Sequence, residues 1–152
     1  MADRTTPYLA FNFIVSLSQN SGTTTIGGFS DVSGLSSEIT EAEYRSGNAS
    51  ENHVIKCPAM AKFSDITCKR GIMGATDLYD WLEEVRAKGY AAKRDSVIIT
   101  LLDEQRNPKL KWTLRSVSPK KLTGPTLAGK GGADVAMEEL VLSVEKIEFG
   151  PA

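Results

Sequence analysis

The stretch that decides the fold is GFSDVSGLSSEITEAEYRSGN, residues 28–48. It is too polar for a strand that is buried on both faces, and its many small residues do not favour a helix. As a strand it places Leu35, Ile39 and two glutamates on one face, with Thr40, Ala42 and Tyr44 on the other. As a helix it also aligns apolar residues, at spacings i, i+4 and i+7. Periodicity leaves the two structures nearly equal, and a strand here would need a partner to cover it.

The segments next to this stretch favour strands. After the polar run SGNASENH, the segment HVIKCP at 53–58 has the composition of a short strand, so the two together predict a hairpin. Towards the N-terminus, residues 8–18 alternate as a strand does. The side chains expected to face the core from that strand are Leu9, Phe11, Phe13, Val15 and Leu17.

Three later segments also predict strands. FSDITCKR at 63–70 places Ile66 and Cys68 on one face, and SVIITLLD at 96–103 is typical of a strand buried on both faces. LKWTLRS at 110–116 has the clearest alternation. It predicts that Leu110, Trp112 and Leu114 point inward and that Lys111, Thr113 and Arg115 point outward.

One α-helix is predicted, at about residues 76–88. Thr76 is the candidate N-cap, and Gly89 is at the position where a left-handed residue often ends a helix. The core-facing stripe at i, i+3, i+4 and i+7 consists of Leu78, Trp81, Leu82 and Val85.

The C-terminal third is less clear. SPKKLTGPTLAGKGG at 118–132 predicts a long loop, which in a compact domain is usually functional or mobile. DVAMEELVLSVEKIEF at 134–149 fits a helix or a strand, but a strand would need a bulge near Glu138–Glu139.

The length of 152 residues predicts a single domain, residues 1–152. The patterns along the chain predict that it has mainly β structure. Charge is uneven along the chain. Residues 1–55 carry two basic and six acidic side chains, residues 56–130 fifteen and eight, and residues 131–152 one and five. The segment charges are therefore −4, +7 and −4. This pattern is compatible with a nucleic-acid surface, with a self-complementary subunit, or with no functional meaning of the charges. The basic residues are not interleaved with aromatic residues, which disfavours nucleic-acid binding.

No pattern for catalysis, metal binding or a cofactor stands out. Cys57 and Cys68 lack metal-ligand spacing and are expected to pack as small apolar side chains in a reducing compartment. The lone histidine, His53, is expected to be an exposed hairpin side chain. The N-terminal run is a poor signal peptide, so synthesis in the cytosol is predicted.

The ordered motifs of the chain resemble the inner tail-tube proteins of contractile phage tails and related contractile injection systems. The resemblance covers nearly the whole chain. The motifs are GGFSDVSGL with EITEAEYRSGN, CPAMAKFSDITCKRGI with LYDWLEEVR, VIITLLDEQRNPKLKWTL, and SPKKLTGPTLAGKGGADVAMEELVLSVEKIEF.

This resemblance implies the ring-forming tail-tube fold, a small β-barrel or sandwich with one flanking helix. It makes residues 28–48 an arm of a long hairpin and residues 134–148 strand. It also implies a structural role without enzymatic activity. Six copies would form a ring, and stacked rings would form a conduit for DNA or protein cargo. A contractile sheath, a baseplate with its spike and a tail terminator would be the partners in the assembled particle.

By position in the motifs, the resemblance also predicts subunit-interface residues. They are Ser33, Gly34, Leu35, Tyr44, Arg45, Gly47, Asn48, Gly124 and Pro125. For each, a role within the chain is the alternative. Gly34, for example, fits a turn that requires positive φ.

Three other functions remain as alternatives. The ring protein of type VI secretion shares the fold that the resemblance implies. A monomeric β-barrel could bind an anionic ligand through the basic segment 56–130, and its binding would weaken strongly with salt. A small hydrolase is disfavoured, because the sequence offers no catalytic set around His53.

Overall fold

The computed structural model describes residues 4–19, 22–25, 28–74, 76–92 and 94–152. These residues form ten strands and one α-helix, which confirms the predicted mainly-β class. The elements are β1 Phe13–Gln19, β2 Gly22–Thr25, β3 Asp31–Ser33, β4 Ser37–Tyr44, β5 Ile55–Phe63, β6 Ile66–Gly71, α1 Asp77–Lys88, β7 Arg94–Leu102, β8 Pro108–Thr123, β9 Met137–Ser143 and β10 Lys146–Pro151.

Eight strands form one antiparallel network in the order β2-β1-β7-β8-β9-β6-β3, and β10 pairs with β8 beside this path. The 16-residue strand β8 belongs to both halves of the network. Its residues up to Val117 pair with β7, and Ser118–Thr123 pair with β9. Just before the change of partner, Ser116 has a φ of 53°, which turns the strand. Over the described residues no pairing joins β2 to β3, so the sheet does not close into a barrel.

A single core cluster lies between the two halves. It takes buried side chains from β1, β6, β7, β8, β9 and α1, so the halves and the helix pack against each other. Its members are Val15, Ile66, Cys68, Leu78, Trp81, Val97, Ile99, Leu114, Val117, Leu140, Leu142 and Val144. This packing confirms the predicted shared face of Ile66 and Cys68.

Helix α1 begins and ends as predicted, with Thr76 at the N-cap and Gly89 at the C-cap with a φ of 61°. However, the Thr76 hydroxyl does not cap the helix. It donates to Asp80 Oδ2 at 3.2 Å instead of accepting a hydrogen bond from a backbone N–H. Leu78 and Trp81 are buried, while Val85 packs at the edge of the core.

The N-terminal prediction was partly wrong. The strand starts at Phe13, and Leu9 and Phe11 are exposed although alternation placed them in the core. Residues 4–12 follow a separate path, because Arg4 pairs with Glu104 and the backbone O of Asn12 accepts from Leu102 N at 2.9 Å. The side chain of Leu17 lies outside the described residues.

The predicted long loop is shorter than expected. Residues 118–123 continue β8, so the loop runs only from 124 to 136. The strand that the resemblance implied for residues 134–148 is found from Met137 onward, as two strands with a break at 144–145. Strand β9 has no bulge near Glu138–Glu139. The irregular register lies on β8, between Pro119 and Lys121.

Three side chains differ from their predicted environment. Thr113 is buried, because β8 is a central strand there and Ile98 and Glu148 flank it on both sides. Strand β7 is not buried on both faces along its whole length, since Ile98 is half-buried. Cys57 is exposed, because it lies on the uncovered strand β5.

Candidate assembly interface

Strands β4 and β5 form a hairpin that stands apart from the rest of the molecule. They make a separate two-stranded antiparallel sheet. All eight residues of β4 and eight of the nine in β5 are exposed. The strand and hairpin predictions are therefore confirmed for residues 37–44, whereas residues 31–33 form the separate strand β3, which pairs with β6. The described residues supply no cover for either face of the hairpin.

The hairpin carries apolar side chains into solvent. Ile39 is 60% exposed, Tyr44 64%, Ile55 57% and Met60 81%. An isolated two-stranded ribbon is at best marginally stable in water, and natural proteins protect exposed strand edges. The hairpin therefore has the surface expected of an element that a partner covers.

The base of the hairpin is fixed tightly to the body. Gly34 has a φ of 92°, and a Cβ at this position would overlap the backbone carbonyl of Asp65. The Ser36 and Ser64 hydroxyls are hydrogen-bonded to each other across the two chain segments. Lys120 Nζ on β8 lies 2.8 Å from Asp65 Oδ2. These contacts set the direction in which the hairpin leaves the body.

The tip of the hairpin is organised by one arginine. The Arg45 guanidinium donates to the backbone oxygens of Ala49 and Glu51, each at 3.3 Å, and to Asn52 Oδ1. Ser46 donates to Asn48 within the same turn. Arg45 thus shapes the tip loop, which is the role within the chain that the sequence analysis left as the alternative.

His53 lies on the same tip and is exposed, as predicted, with its Nδ1 3.1 Å from Glu51 Oε2. In the part of the chain that the structure describes, no group of three or more His, Cys, Asp or Glu side chains could hold a metal ion. None of the described helices is long and apolar enough to cross a membrane.

The predicted interface residues fall into three places. Ser33, Gly34 and Leu35 lie at the hairpin base, where Leu35 is half-buried and packs against the core. At the hairpin tip the structure brings together Tyr44, Arg45, Gly47 and Asn48, all exposed. Gly124 and Pro125 start the loop after β8 and are not part of the hairpin.

An open apolar groove is a surface that the sequence analysis missed. Its volume is about 390 Å³, and its lining includes Tyr8, Phe13, Val32, Leu35 and Trp112. The exposed ring of Phe149 stacks on Trp112, with the ring centroids 5.2 Å apart. Alternation had assigned Phe13 and Trp112 to the core, so it gave no signal for a groove.

A buried ion-pair cluster beneath the helix was also missed. Arg70 is 6% exposed and bonds Glu138 through Nε and Asp77 through Nη2, the latter at 2.6 Å. This hydrogen bond from Arg70 is the main cause that lowers the pKa of Asp77. The cluster joins β6, β9 and the first turn of α1. It therefore stabilises the body of the molecule.

Comparison with solved structures gives matches over nearly the whole chain. A chain in the cryo-EM structure of an extracellular contractile injection system, the PVC sheath-tube complex in the extended state, is 25% identical with a TM-score of 0.82, covering 97% of this chain and 94% of that one. A chain in the PVC sheath/tube terminator is 26% identical with a TM-score of 0.81, covering 95% and 97%.

More distant likenesses show the fold alone. A chain of the anti-feeding prophage baseplate is 23% identical, with a TM-score of 0.82 and coverage of 96% and 97%. Hcp1 from Flavobacterium johnsoniae is 13% identical, with a TM-score of 0.54 and coverage of 91% and 96%. The alternative of a type VI secretion ring protein is therefore a distant one. No curated protein sequence matches the chain.

The family described as T4-like virus tail tube protein gp19 matches residues 9–148. The chain belongs to the T4-like tail tube protein family.

Proposed function

We propose that the chain is the structural subunit of the inner tube of a contractile injection apparatus. Copies associate into hexameric rings, the rings stack into a hollow conduit, and DNA or protein cargo passes along it when a sheath contracts. The number six and the cargo follow the family resemblance. The observation that carries the proposal is the β4–β5 hairpin, which leaves both faces of a long ribbon uncovered in the single chain.

The proposed partners follow from the same role. They are further copies of the chain, the contractile sheath around the tube, the baseplate with its spike and the tail terminator. Two solved chains that this one resembles come from complexes named for a sheath and tube and for a sheath/tube terminator, which supports the first, second and last of these. The chain works in the assembled particle after cytoplasmic synthesis, and it catalyses no reaction.

Electron microscopy over a concentration series tests the proposal. Negatively stained samples of the purified chain, with and without purified baseplate components to nucleate assembly, should show hollow rings or tubes of uniform width. Compact monomers at every concentration, in both preparations, would contradict a tube subunit.

The two cysteines give an independent readout in the same samples. Cys57 is exposed on β5, whereas Cys68 is buried and its pKa is raised by burial to about 12. A maleimide should therefore label one thiol in the monomer and two after denaturation. In the assembled state Cys57 labelling should slow at least tenfold. Labelling at the monomer rate in visible tubes would show that the hairpin is not the contact.

A further inference from the structure

The register of the hairpin shows which side chains share a face. Directly opposite residues in an antiparallel pair point to the same side, and successive residues in a strand alternate. We call Ser37–Ile39 with Ala61–Phe63 the base half, and Glu41–Tyr44 with Ile55–Pro58 the tip half.

In the base half, the apolar side chains lie on one face. Ile39 is opposite Ala61, and Phe63 follows on the same side. The other face carries a charged cross-strand pair, Glu38 opposite Lys62. This half is amphipathic, and we call the side of Ile39 the first face.

In the tip half, the two faces have exchanged character. The first face now carries Glu41, and Glu43 opposite Lys56, with Lys56 Nζ 3.9 Å from Glu41 Oε2. The second face carries the apolar pairs. They are Ala42 opposite Cys57 and Tyr44 opposite Ile55.

The exchange occurs at a β-bulge. Ile39 pairs with Ala61 but Glu41 pairs with Pro58, so β5 has one extra residue opposite Thr40. The Thr40 hydroxyl donates to the Met60 backbone oxygen at 2.9 Å within the bulge. Because of the extra residue, the apolar residues of β5 still lie opposite the apolar residues of β4 beyond the bulge. Both strands therefore change their apolar side at the same point, which favours a built feature over chance.

We infer that two different copies of the chain cover the hairpin, one on the first face of its base half and the other on the second face of its tip half. This inference rests on the proposed function. The two apolar patches lie on opposite sides of a ribbon one sheet thick, so a single flat neighbouring surface covers only one of them. The charged side of each half remains turned to water.

The chain itself offers apolar surface of the kind that such patches bind. The groove lined by Phe13, Val32 and Trp112 is open and concave, and it belongs to the body and not to the hairpin. A contact between a hairpin on one copy and a body surface on the next is heterologous, and heterologous contacts propagate into rings or filaments. A second copy is therefore the occupant that the chain's own surfaces favour.

Photo-crosslinking in assembled tubes tests this inference. A benzophenone amino acid replaces Ile39 in one variant and Tyr44 in another, and mass spectrometry identifies the crosslinked peptides. We expect the two positions to crosslink to different surfaces on neighbouring copies. Crosslinks from both positions to one surface patch would overturn the inference.

Four substitutions to glutamine provide the matched controls. Ile39→Gln is compared with its neighbour Glu38→Gln, and Tyr44→Gln with Glu43→Gln, so that each pair compares the apolar face with the charged face at adjacent positions. The apolar substitutions should each raise the critical concentration for assembly about tenfold, and the glutamate substitutions less than about twofold. Equal effects within either pair would also overturn the inference.

The design separates failure of the inference from failure of the proposed function. If the wild-type chain never assembles, the proposed function fails and no variant needs to be compared. If it assembles but the pairs behave alike, only the two-sided coverage fails. Because no residue from 37 to 63 is buried, circular dichroism and monomer melting should be unchanged in all four variants.

Discussion

Gly34 has two independent constraints at a single position. Its φ of 92° disfavours any side chain, and the carbonyl of Asp65 occupies the space that a Cβ would need. A role within the chain is therefore sufficient to explain this glycine, whether or not it also touches a neighbour. The contact sets the angle at which the hairpin leaves the body.

Gly34→Ala should destabilise the monomer by about 2 kcal/mol, because it adds backbone strain and a steric overlap. Urea unfolding followed by circular dichroism measures the change. Gly47→Ala is the control, since Gly47 has no neighbouring atom within 4 Å of an added Cβ. A Gly34→Ala protein as stable as the Gly47→Ala protein would rule out the strain argument.

Asp77 makes stability depend on pH in the acidic range. The hydrogen bond from Arg70 lowers its pKa below the ordinary value of 3.8, so the folded state holds the proton less tightly than the unfolded state. The ion pair therefore stabilises the fold fully above pH 3.8. This stabilisation is lost as the pH falls below 3.8 through the folded-state pKa.

The melting temperature should thus differ between wild type and Asp77→Asn at pH 7, and the difference should shrink as the pH approaches 2. Differential scanning calorimetry at pH values across this range measures it. Asp80→Asn is the control, because Asp80 lies in the same first helical turn and has no described contact with Arg70. A constant difference at all pH values would contradict the assignment.

At the scale of elements, the hairpin and the body are built differently. The body places its apolar side chains in one core, whereas the hairpin has only cross-strand pairs and its base contacts. The Ser36 and Ser64 hydroxyls touch, so the two ends of the hairpin lie side by side. The body should therefore fold without the hairpin.

Replacing residues 37–63 with a two-residue Asn-Gly turn tests this separation. The shortened protein should melt within about 5 °C of the full chain, since no buried residue is lost, and should remain monomeric at every concentration. Calorimetry and analytical ultracentrifugation provide the two measurements. An unfolded product would show that the hairpin contributes to the core fold, and a product that assembles would contradict its role in assembly.

At the scale of the whole molecule, the two forces expected to hold subunits together respond differently to salt. The segment charges of −4, +7 and −4 lead us to expect an electrostatic attraction between stacked rings of the proposed tube, which salt would screen. The apolar hairpin patches do not weaken in this way. Salt dependence therefore tells which force dominates.

We expect NaCl at 1 M to shorten tubes relative to 0.1 M, because the screening length falls from about 10 Å to about 3 Å. Negative-stain length distributions measure the change, with sucrose at equal osmolality as the control. Tubes of equal or greater length at 1 M would remove the electrostatic contribution and leave the hairpin patches as the main contact.

Sequence patterns predicted the elements whose signal is local. Helix α1 was predicted because Leu78, Trp81 and Val85 form a stripe that ends at a glycine. The strand form of residues 37–44 could not be derived from periodicity, because spacing satisfied both structures and the family resemblance decided it. Alternation placed Leu9 and Phe11 inside, since it cannot tell which apolar residues the core has room for.

The candidate site was predictable only in part, because sequence patterns report local structure and not contacts between distant residues. The tip residues 44–48 were predicted from the family resemblance, and local turn chemistry marked only the polar run that begins at Ser46. Arg70 gave no signal, because its partners Asp77 and Glu138 are 7 and 68 residues away along the chain. The exchange of hairpin faces depends on the pairing of Glu41 with Pro58, and register of this kind is visible only once the strands are paired.

The bent strand β8 also has a mechanical meaning. Its 16 residues pair with β7 and β10 along the first part and with β9 along the second. A force that pulls the two halves apart along this strand loads many hydrogen bonds at once, in shear, so that they cannot open one after another like a zipper. In a subunit that is pushed against a resisting surface, the backbone of β8 would therefore carry the load. The whole domain would unfold before its two halves came apart.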